Sequence, residues 1–270
     1  MNLLQFILLL GLGFLVGSVG TLIGAGGGFI LVPILLLLYP TAKPELITSI
    51  SLATVFLNAS SGSIAYARMG RIDYRSAIIF AAATLPGAII GAISTGYIPR
   101  NTFNIILAAL LSVIAILLLI RPQQGASMPK KKRVYVHRLV KEKSGQEHRY
   151  SFNNVLGIVL SFFVGFISSL LGIGGGIIHV PALTKLLNFP VHIATATSHL
   201  ILACMALAGT IVHIIQGNFK NGWLTTLLIG IGVIVGAQIG ARLSDKIKGS
   251  LIVRVLAIAL LLVAIRLFFS

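Results

Sequence analysis

The sequence predicts an all-α polytopic membrane protein made of two homologous halves, each with a glycine-broken helix pair plus three transmembrane helices. The first observation is composition, because the chain of 270 residues is 57% hydrophobic and only 10% charged. Ordinary globular domains carry roughly 25% charged residues. The second observation is a series of long apolar stretches, and the third is an unusual glycine motif that occurs twice.

The apolar stretches account for the predicted transmembrane helices. Each is long enough to cross a hydrocarbon core of about 30 Å. They cover residues 47–67, 77–98, 103–120, 155–171, 193–215, 223–241 and 251–269. So many long apolar segments are not expected of a soluble protein, and the sequence places the chain in a membrane.

The repeated motif is a glycine-rich break inside an apolar run. Residues 22–35 have the sequence LIGAGGGFILVPIL and residues 170–183 have LLGIGGGIIHVPAL. Glycine and proline are the poorest helix formers, so each motif interrupts a helix. Other positions repeat at offsets of 147 to 149 residues: Gly17 and Gly165, Thr48 and Thr195, Ser51 and Ser198, Gly62 and Gly209, Gly87 and Gly236, Gly91 and Gly240. Such constant spacing indicates an internal duplication.

Each half divides into five apolar pieces, of which the second is too short to span a bilayer. In the first half it covers residues 29–39, which as a helix reach roughly half-way across. The first two pieces therefore form either a re-entrant hairpin or one broken span. We expect a first membrane repeat at 1–120, a basic cytoplasmic loop at 121–150 and a second membrane repeat at 151–270.

The charge of the loops favours the re-entrant helical hairpin over the broken span, because positively charged loops remain in the cytoplasm. Residues 121–149 hold nine of the 21 Lys and Arg residues, which makes a cytoplasmic loop a better interpretation than a nucleic-acid site. With hairpins, each half crosses three times, the halves are inverted, and 17 basic residues lie inside against 4 outside. With broken spans, the halves are parallel and the division is 14 against 7. We therefore expect inverted halves in the cell membrane, with both termini outside.

The glycine breaks predict an anion site. Backbone that leaves a helix inside a bilayer is tolerated where protein buries it or where it lines a cavity. The helix that restarts after each break presents free N–H groups and the positive end of its dipole. The predicted binding residues are Gly26, Gly27, Gly28, Gly174, Gly175 and Gly176. For Gly87/Gly91 and Gly236/Gly240, by contrast, we expect only close helix packing.

Uncharged polar side chains provide the second predicted part of the site. Thr48, Ser51, Thr195, Ser198 and His199 follow the two breaks, and four of these five occupy repeated positions. They suit a small oxyanion that must bind and leave, although back-bonding to the helix is an equal alternative for the hydroxyls. None of the five acidic residues lies well inside an apolar span, which argues against a cation substrate.

Histidine is the remaining residue type that could carry protons, because it titrates near neutral pH. His199 is the first candidate for proton coupling or direct anion contact, followed by His179 and then His213. The spacing of these residues predicts no metal site, and we expect no cofactor.

The motifs resemble those of the sulfite exporter TauE/SafE family. The resemblance rests on LIGAGGGFILVP and LLGIGGGIIHVP, each followed by a segment rich in Thr and Ser (ITSISLATVF and IATATSHLILA), and it covers essentially the whole chain. The first copy differs slightly, with Ala25 and Leu31 where the second has Ile173 and His179. The resemblance implies a secondary membrane transporter, a permease or exporter, for a small sulfur-containing anion such as sulfite or an organosulfonate.

Other functions remain as alternatives at this point. The sequence contains no catalytic motif such as H-E-x-x-H, G-x-S-x-G or a P-loop, so we do not expect an enzyme. An anion channel is one alternative, and a non-transporting membrane assembly or scaffold protein is another. The expected partners are a small anionic substrate and the lipid bilayer, with a homo-oligomer left open.

Overall fold

The structure is a computed structural model that describes residues 3–120, 135–220, 222–244 and 249–268. Within these ranges the chain forms ten helices and one two-stranded sheet. In chain order they are α1 (Leu3–Ile23), α2 (Gly28–Leu38), α3 (Pro44–Met69), α4 (Tyr74–Thr95), α5 (Arg100–Ile120), β1 (Tyr135–Lys141), β2 (Glu147–Asn153), α6 (Asn154–Leu171), α7 (Gly176–Lys185), α8 (Val191–Ile215), α9 (Trp223–Leu243) and α10 (Gly249–Phe268).

Six of the described helices are long and apolar enough to cross a membrane: α1, α3, α4, α6, α8 and α9. This confirms the prediction of an all-α polytopic membrane protein. The short pieces are α2 with 11 residues and α7 with 10, each directly after a glycine break. At 1.5 Å per residue neither spans a bilayer, whereas α1 with 21 residues does.

The two short helices contain the repeated prolines, which lie deeper than the first turn. Pro33 and Pro181 are each the sixth residue of their helix, so each removes a hydrogen bond that the helix would otherwise contain. At the far end of α2, the guanidinium group of Arg100 donates to the carbonyl oxygens of Leu36 and Tyr39. This side chain therefore satisfies carbonyl groups that the end of the helix leaves free.

Helices α3 and α8 occupy equivalent positions in the two halves, and they pack against each other in opposite chain directions. The hydroxyl of Thr48, near the start of α3, lies 3.3 Å from Nε2 of His213, near the end of α8. Conversely, a Cβ atom placed on Gly62, late in α3, would lie 2.5 Å from Cδ2 of His199, early in α8. Equivalent helices that run antiparallel are expected of inverted halves, although the inverted orientation remains a prediction.

Two further helix pairs also join the halves: α1 of the first half packs against α9 of the second, and α4 packs against α6. Glycines allow these helices to touch backbone to backbone. A Cβ atom on Gly87 would overlap the carbonyl oxygen of Phe162, and one on Gly236 would overlap that of Phe14. The prediction of close packing at the small-residue pairs is thus confirmed.

The basic loop contains a β-hairpin that the sequence did not indicate. β1 and β2 pair antiparallel, from Tyr135 opposite Asn153 to Lys141 opposite Glu147. The inner face of the hairpin buries Tyr150 and Phe152 against the end of the helix bundle. Residues 121–134, which hold five of the nine basic residues of the loop, lie outside the described residues, and the predicted domain boundaries stay predictions.

Candidate functional site

The two glycine breaks adopt backbone conformations that only glycine takes readily. In the first break, φ is +83° at Gly24, +74° at Gly26 and +82° at Gly27. In the second, φ is +68° at Gly172 and +65° at Gly174. Other residues meet a steric penalty in this left-handed region, so glycine is required by the path of the chain at these five positions.

The structure brings the two breaks into direct contact with each other. A Cβ atom on Gly28 would lie 2.6 Å from the carbonyl carbon of Ile173. At the equivalent place, a Cβ atom on Gly176 would lie 2.7 Å from Cα of Ala25. The two backbones therefore meet where α2 and α7 begin, which is the juxtaposition that the repeat suggested.

The breaks meet beside the middle of the α3 and α8 pair. Cβ atoms placed on Gly26 and Gly174 would both contact Val55, which lies near the middle of α3. Gly24 packs against Thr195 of α8, and Gly172 packs in the same way against Thr48 of α3. The irregular backbone is thus enclosed by protein at the centre of the bundle, as backbone outside a helix must be in a membrane.

The half-helices point their N-terminal ends into this central contact. Gly27 precedes α2 and Gly175 precedes α7, and neither residue has a side chain that could cap its helix. The first N–H groups of a helix lack partners within the helix, and they carry the positive end of its dipole. The arrangement can therefore stabilise negative charge at two adjacent helix ends.

Most of the predicted hydroxyl groups already form hydrogen bonds within the protein. Ser51 donates to the carbonyl oxygen of Gly172 at 2.6 Å, and Ser198 donates to that of Gly24 at 3.4 Å. Thr48 donates to backbone carbonyls of its own helix and also contacts His213. Thr195 packs against Gly24. The serines therefore hold the two breaks in place, and contact with a substrate remains a prediction for all four residues.

His199 has a different environment from the hydroxyls. It is fully buried, and neither ring nitrogen forms a hydrogen bond of regular geometry, although the backbone of Thr195 lies close to the ring. Nearby, Thr21 donates to Oδ1 of Asn58 at 2.9 Å, while Nδ2 of Asn58 is buried without a partner. The hydroxyl of Tyr66 donates to the backbone carbonyl of Thr21. Sequence reasoning missed Thr21 and Tyr66, because neither residue type is identical in the two halves.

The other two histidines lie elsewhere. Nε2 of His179 is 3.2 Å from the hydroxyl of Ser161, and its ring faces Phe80. His213 contacts Thr48 at the opposite end of α8 from His199. The structure does not gather the three histidines into one cluster, and proton coupling by His179 or His199 stays a prediction. Within the described ranges, no group of three His, Cys, Asp or Glu side chains could hold a metal ion.

Two buried carboxylates attach the β-hairpin to the helices. Asp73 accepts from the hydroxyls of Ser76 and Tyr150, and its own N–H donates to the hydroxyl of Thr197 in α8. Burial, followed by the charge of Asp73, raises the pKa of the Tyr150 hydroxyl. This network connects the hairpin to the helix that carries His199.

The second carboxylate, Glu142, forms an ion pair with Arg71 at 2.9 Å and contacts His148 at 2.8 Å. Burial alone raises the pKa of Glu142, but the hydrogen bonds and charges of Arg71 and His148 outweigh it, and the pKa is lowered. The sequence offered no sign of this burial, since the hairpin itself was not predicted.

Crossing helices, paired breaks and apposed helix ends define a multi-pass membrane protein of the transporter class. Comparison with known sequences identifies the family: residues 9–267 match the family described as "Sulfite exporter TauE/SafE". The chain therefore belongs to the TauE/SafE family, as the motifs indicated. No solved structure is significantly similar to the chain.

Its relatives have the same general designation. The chain is 31% identical to "Probable membrane transporter protein YunE" of Bacillus subtilis, over 99% of this chain and 98% of the relative. It is 28% identical to "Probable membrane transporter protein" of Xylella fastidiosa (strain Temecula1), over 98% and 95%. It is 26% identical to "Probable membrane transporter protein YfcA" of Escherichia coli, over 92% and 84%. These similarities identify a membrane transporter and do not point to an enzyme.

Proposed function

We propose that this transporter moves a small oxyanion, such as sulfite or an organosulfonate, across the cell membrane. The observation that carries the proposal is the contact between the two glycine breaks, where two uncapped helix N-termini meet at Gly28 and Gly176. Helix ends of this kind favour anions through their N–H groups and dipoles. The description of the family names sulfite, which gives the first substrate to test.

The charge of the surrounding helices supports an anion rather than a cation. The five acidic residues are Glu45, Asp73, Glu142, Glu147 and Asp245, and none lies in the middle of an apolar span. The two carboxylates buried beside the hairpin already accept from basic or hydroxyl groups. A cation crossing the centre of the protein would meet no compensating negative charge there.

Transport of labelled anions in proteoliposomes tests this function. We expect saturable uptake of sulfite or a sulfonate and no uptake of a cation of similar size. The N-cap variant Gly175→Val should abolish uptake, since the new side chain crowds Ser168 and Val164 at the start of α7. Pro181→Ala is the matched control, because it adds a donor without filling this space, and it should retain uptake.

Counterflow separates a carrier from a channel. Unlabelled sulfite inside the vesicles should accelerate entry of labelled sulfite through a carrier, since the loaded site returns faster than the unloaded one. Flux that rises without saturation and shows no counterflow would instead indicate the channel alternative. Absence of flux for every anion tested would contradict transport of such anions.

We further propose that the halves are inverted, which is supported by the antiparallel packing of the equivalent helices α3 and α8. In a background of Cys204→Ala, the exposed positions Lys43, Gln146 and Lys220 can each be changed to cysteine. An impermeant thiol reagent should label Lys43→Cys and Lys220→Cys in intact cells, but not Gln146→Cys. Protection of Lys220→Cys would support parallel halves.

A further inference from the structure

Four polar side chains from three helices meet around Gly62 of α3. Thr21 belongs to α1, Asn58 and Tyr66 to α3, and His199 to α8. A Cβ atom on Gly62 would lie 3.0 Å from Nε2 of His199 and 3.1 Å from Cγ2 of Thr21. The missing side chain of Gly62 thus allows the histidine ring to approach α3 on the same face as Asn58, one helical turn away.

Two side chains of this group present polar atoms without protein partners. The amide of Asn58 receives a hydrogen bond from Thr21 through Oδ1, and its Nδ2 group has no acceptor. Neither ring nitrogen of His199 has a hydrogen bond of regular geometry, although the backbone of Thr195 lies close to the ring, and both side chains have 0% exposure. Buried polar groups are nearly always paired, so two side chains of one group with unpaired polar atoms need an explanation.

The equivalent place in the other half lacks these groups. A Cβ atom on Gly209 would contact Leu52 and Ser169, which are the counterparts of His199 and Thr21. The counterpart of Asn58, at the same offset of 147 residues, is Met205. Both halves have therefore kept the glycine, but the second half has only the unpaired hydroxyl of Ser169 where the first half has the amide of Asn58 and the ring of His199.

We propose that Asn58 and His199 form an oxyanion-binding site of the transporter in addition to the helix ends, on the side of the glycine breaks that faces the β-hairpin. This proposal rests on the proposed transport of an oxyanion. Nδ2 of Asn58 and a protonated ring nitrogen of His199 donate to the anion oxygens, which would satisfy both buried donors. Thr21 positions the amide by donating to Oδ1, and Tyr66 in turn contacts the backbone of Thr21.

The position of this site relates it to both the breaks and the hairpin. Ser198, which precedes His199, donates to the carbonyl oxygen of Gly24, so α8 connects the site directly to the first break. On the other side, the N–H of Lys143 in the hairpin turn donates to the carbonyl oxygen of Met69 at the end of α3. The site therefore lies between the breaks and the hairpin, and it is off the axis that relates the halves.

Substitution by the residues of the other half tests the site with little disturbance of packing. Leu52 and Met205 show which side chains the same frame accepts, so the variants are His199→Leu and Asn58→Met. The measurement is the thermal stabilisation of the purified full-length protein by sulfite, sulfate and thiosulfate, which follows mass action. Each variant should weaken anion binding at least about tenfold, the effect of losing one hydrogen bond to a charged group.

A structural role would give a different result. Because His199→Leu removes polar atoms without a hydrogen bond of regular geometry, its melting temperature without anion should stay near the wild-type value or rise, whereas Asn58→Met also removes the acceptor of Thr21 and should lower it slightly. Met205→Leu, in the other half, is the matched control and should bind anions like wild type. Should His199→Leu be unfolded, His199→Gln keeps a donor and should retain more binding than Asn58→Met.

Two outcomes would overturn the proposal in distinguishable ways. Wild-type binding in both His199→Leu and Asn58→Met would exclude this site and leave the proposed transport of oxyanions intact. A wild-type protein that none of the three anions stabilises, and that transports none of them, would exclude both the site and the proposed function.

Discussion

The two halves of the chain are alike in backbone and different in side chains at the centre of the molecule. Gly28 touches Ile173 as Gly176 touches Ala25, and Ser51 holds one break as Ser198 holds the other. At the next residue of α8 the likeness ends, because His199 has Leu52 as its counterpart in α3. The comparison teaches that the shared residues support the backbone structure of the breaks, while the residues that differ are the better candidates for contact with a substrate.

The two ends of the helix bundle differ as well. The end that carries Tyr66 and Met69 is covered by the β-hairpin, which is fixed there by the buried pair of Arg71 and Glu142. Among the described residues, β1 and β2 are the only strands, so there the hairpin covers one end of the bundle. This cover is a physical difference between the two ends.

The largest expected effect comes from disturbing what the halves share. Gly28→Ala and Gly176→Ala each place a Cβ atom within 2.7 Å of backbone atoms of the opposite break. Backbone cannot rotate away as a side chain can, so we expect each variant to lose about 3 kcal/mol of stability or more. Thermal unfolding in detergent measures this loss, and the two variants should be affected alike.

A glycine without such neighbours provides the control. A Cβ atom on Gly11 of α1 would have no atom within 4 Å, so Gly11→Ala should leave stability unchanged or raise it by up to about 1 kcal/mol. A large loss in only one of Gly28→Ala and Gly176→Ala would show that the breaks are not equivalent in packing.

Much of the fold could be predicted because local sequence determines it. Helix α2 was expected at residues 29–39 and is found at 28–38, since a glycine break and the following YPTAKP segment limit it on both sides. Composition identified the membrane helices, and the glycine spacing indicated the duplication. The β-hairpin was missed because its stability comes from packing of Tyr150 and Phe152 against distant helices, which a local pattern cannot reveal.

From the sequence, the candidate site could be predicted only at positions that are repeated in both halves. Repetition identified the glycines and the serines, and the structure shows Ser51 and Ser198 bound to carbonyl groups of the breaks. Thr21 and Tyr66 lie far from His199 in sequence, and their counterparts Ser169 and His213 are polar but not identical. Their meeting depends on which helices pack together, so only the three-dimensional arrangement shows it.

A smaller effect is expected at the hairpin, where the ends of the molecule differ. Glu142→Gln removes the charge that pairs with Arg71, and hydrogen bonds between charged groups contribute about 1.5–3 kcal/mol. Because the pKa of Glu142 is lowered from its ordinary value of 4.5, its contribution is complete above pH 4.5 and is lost as pH falls through the lowered pKa. Thermal unfolding of wild type between pH 6 and pH 3 should show this loss, and the variant should show less of it.

The neighbouring acid in the hairpin is a matched control. Glu147 is 41% exposed and contacts Lys141 and Arg149 at 3.6 and 3.7 Å. Exposed pairs of this kind contribute at most about 1 kcal/mol, so Glu147→Gln should change stability by less than Glu142→Gln. Equal effects of the two substitutions would mean that the buried pair does not fix the hairpin.

The smallest expected effect tests how closely the halves agree in the hydrogen bonds that hold the breaks. Ser51 is 2.6 Å from the carbonyl oxygen of Gly172, whereas Ser198 is 3.4 Å from that of Gly24, near the limit for a hydrogen bond. Ser51→Ala should therefore cost about 1–2 kcal/mol, since it leaves a buried carbonyl group without its partner. Ser198→Ala should cost less than about 0.5 kcal/mol, because it removes a bond that is already weak.

Chemical or thermal unfolding of both variants in the same detergent measures the difference. Equal losses would show that the two serines hold their breaks equally well, and the difference between the halves would then be confined to Asn58, His199 and the hairpin.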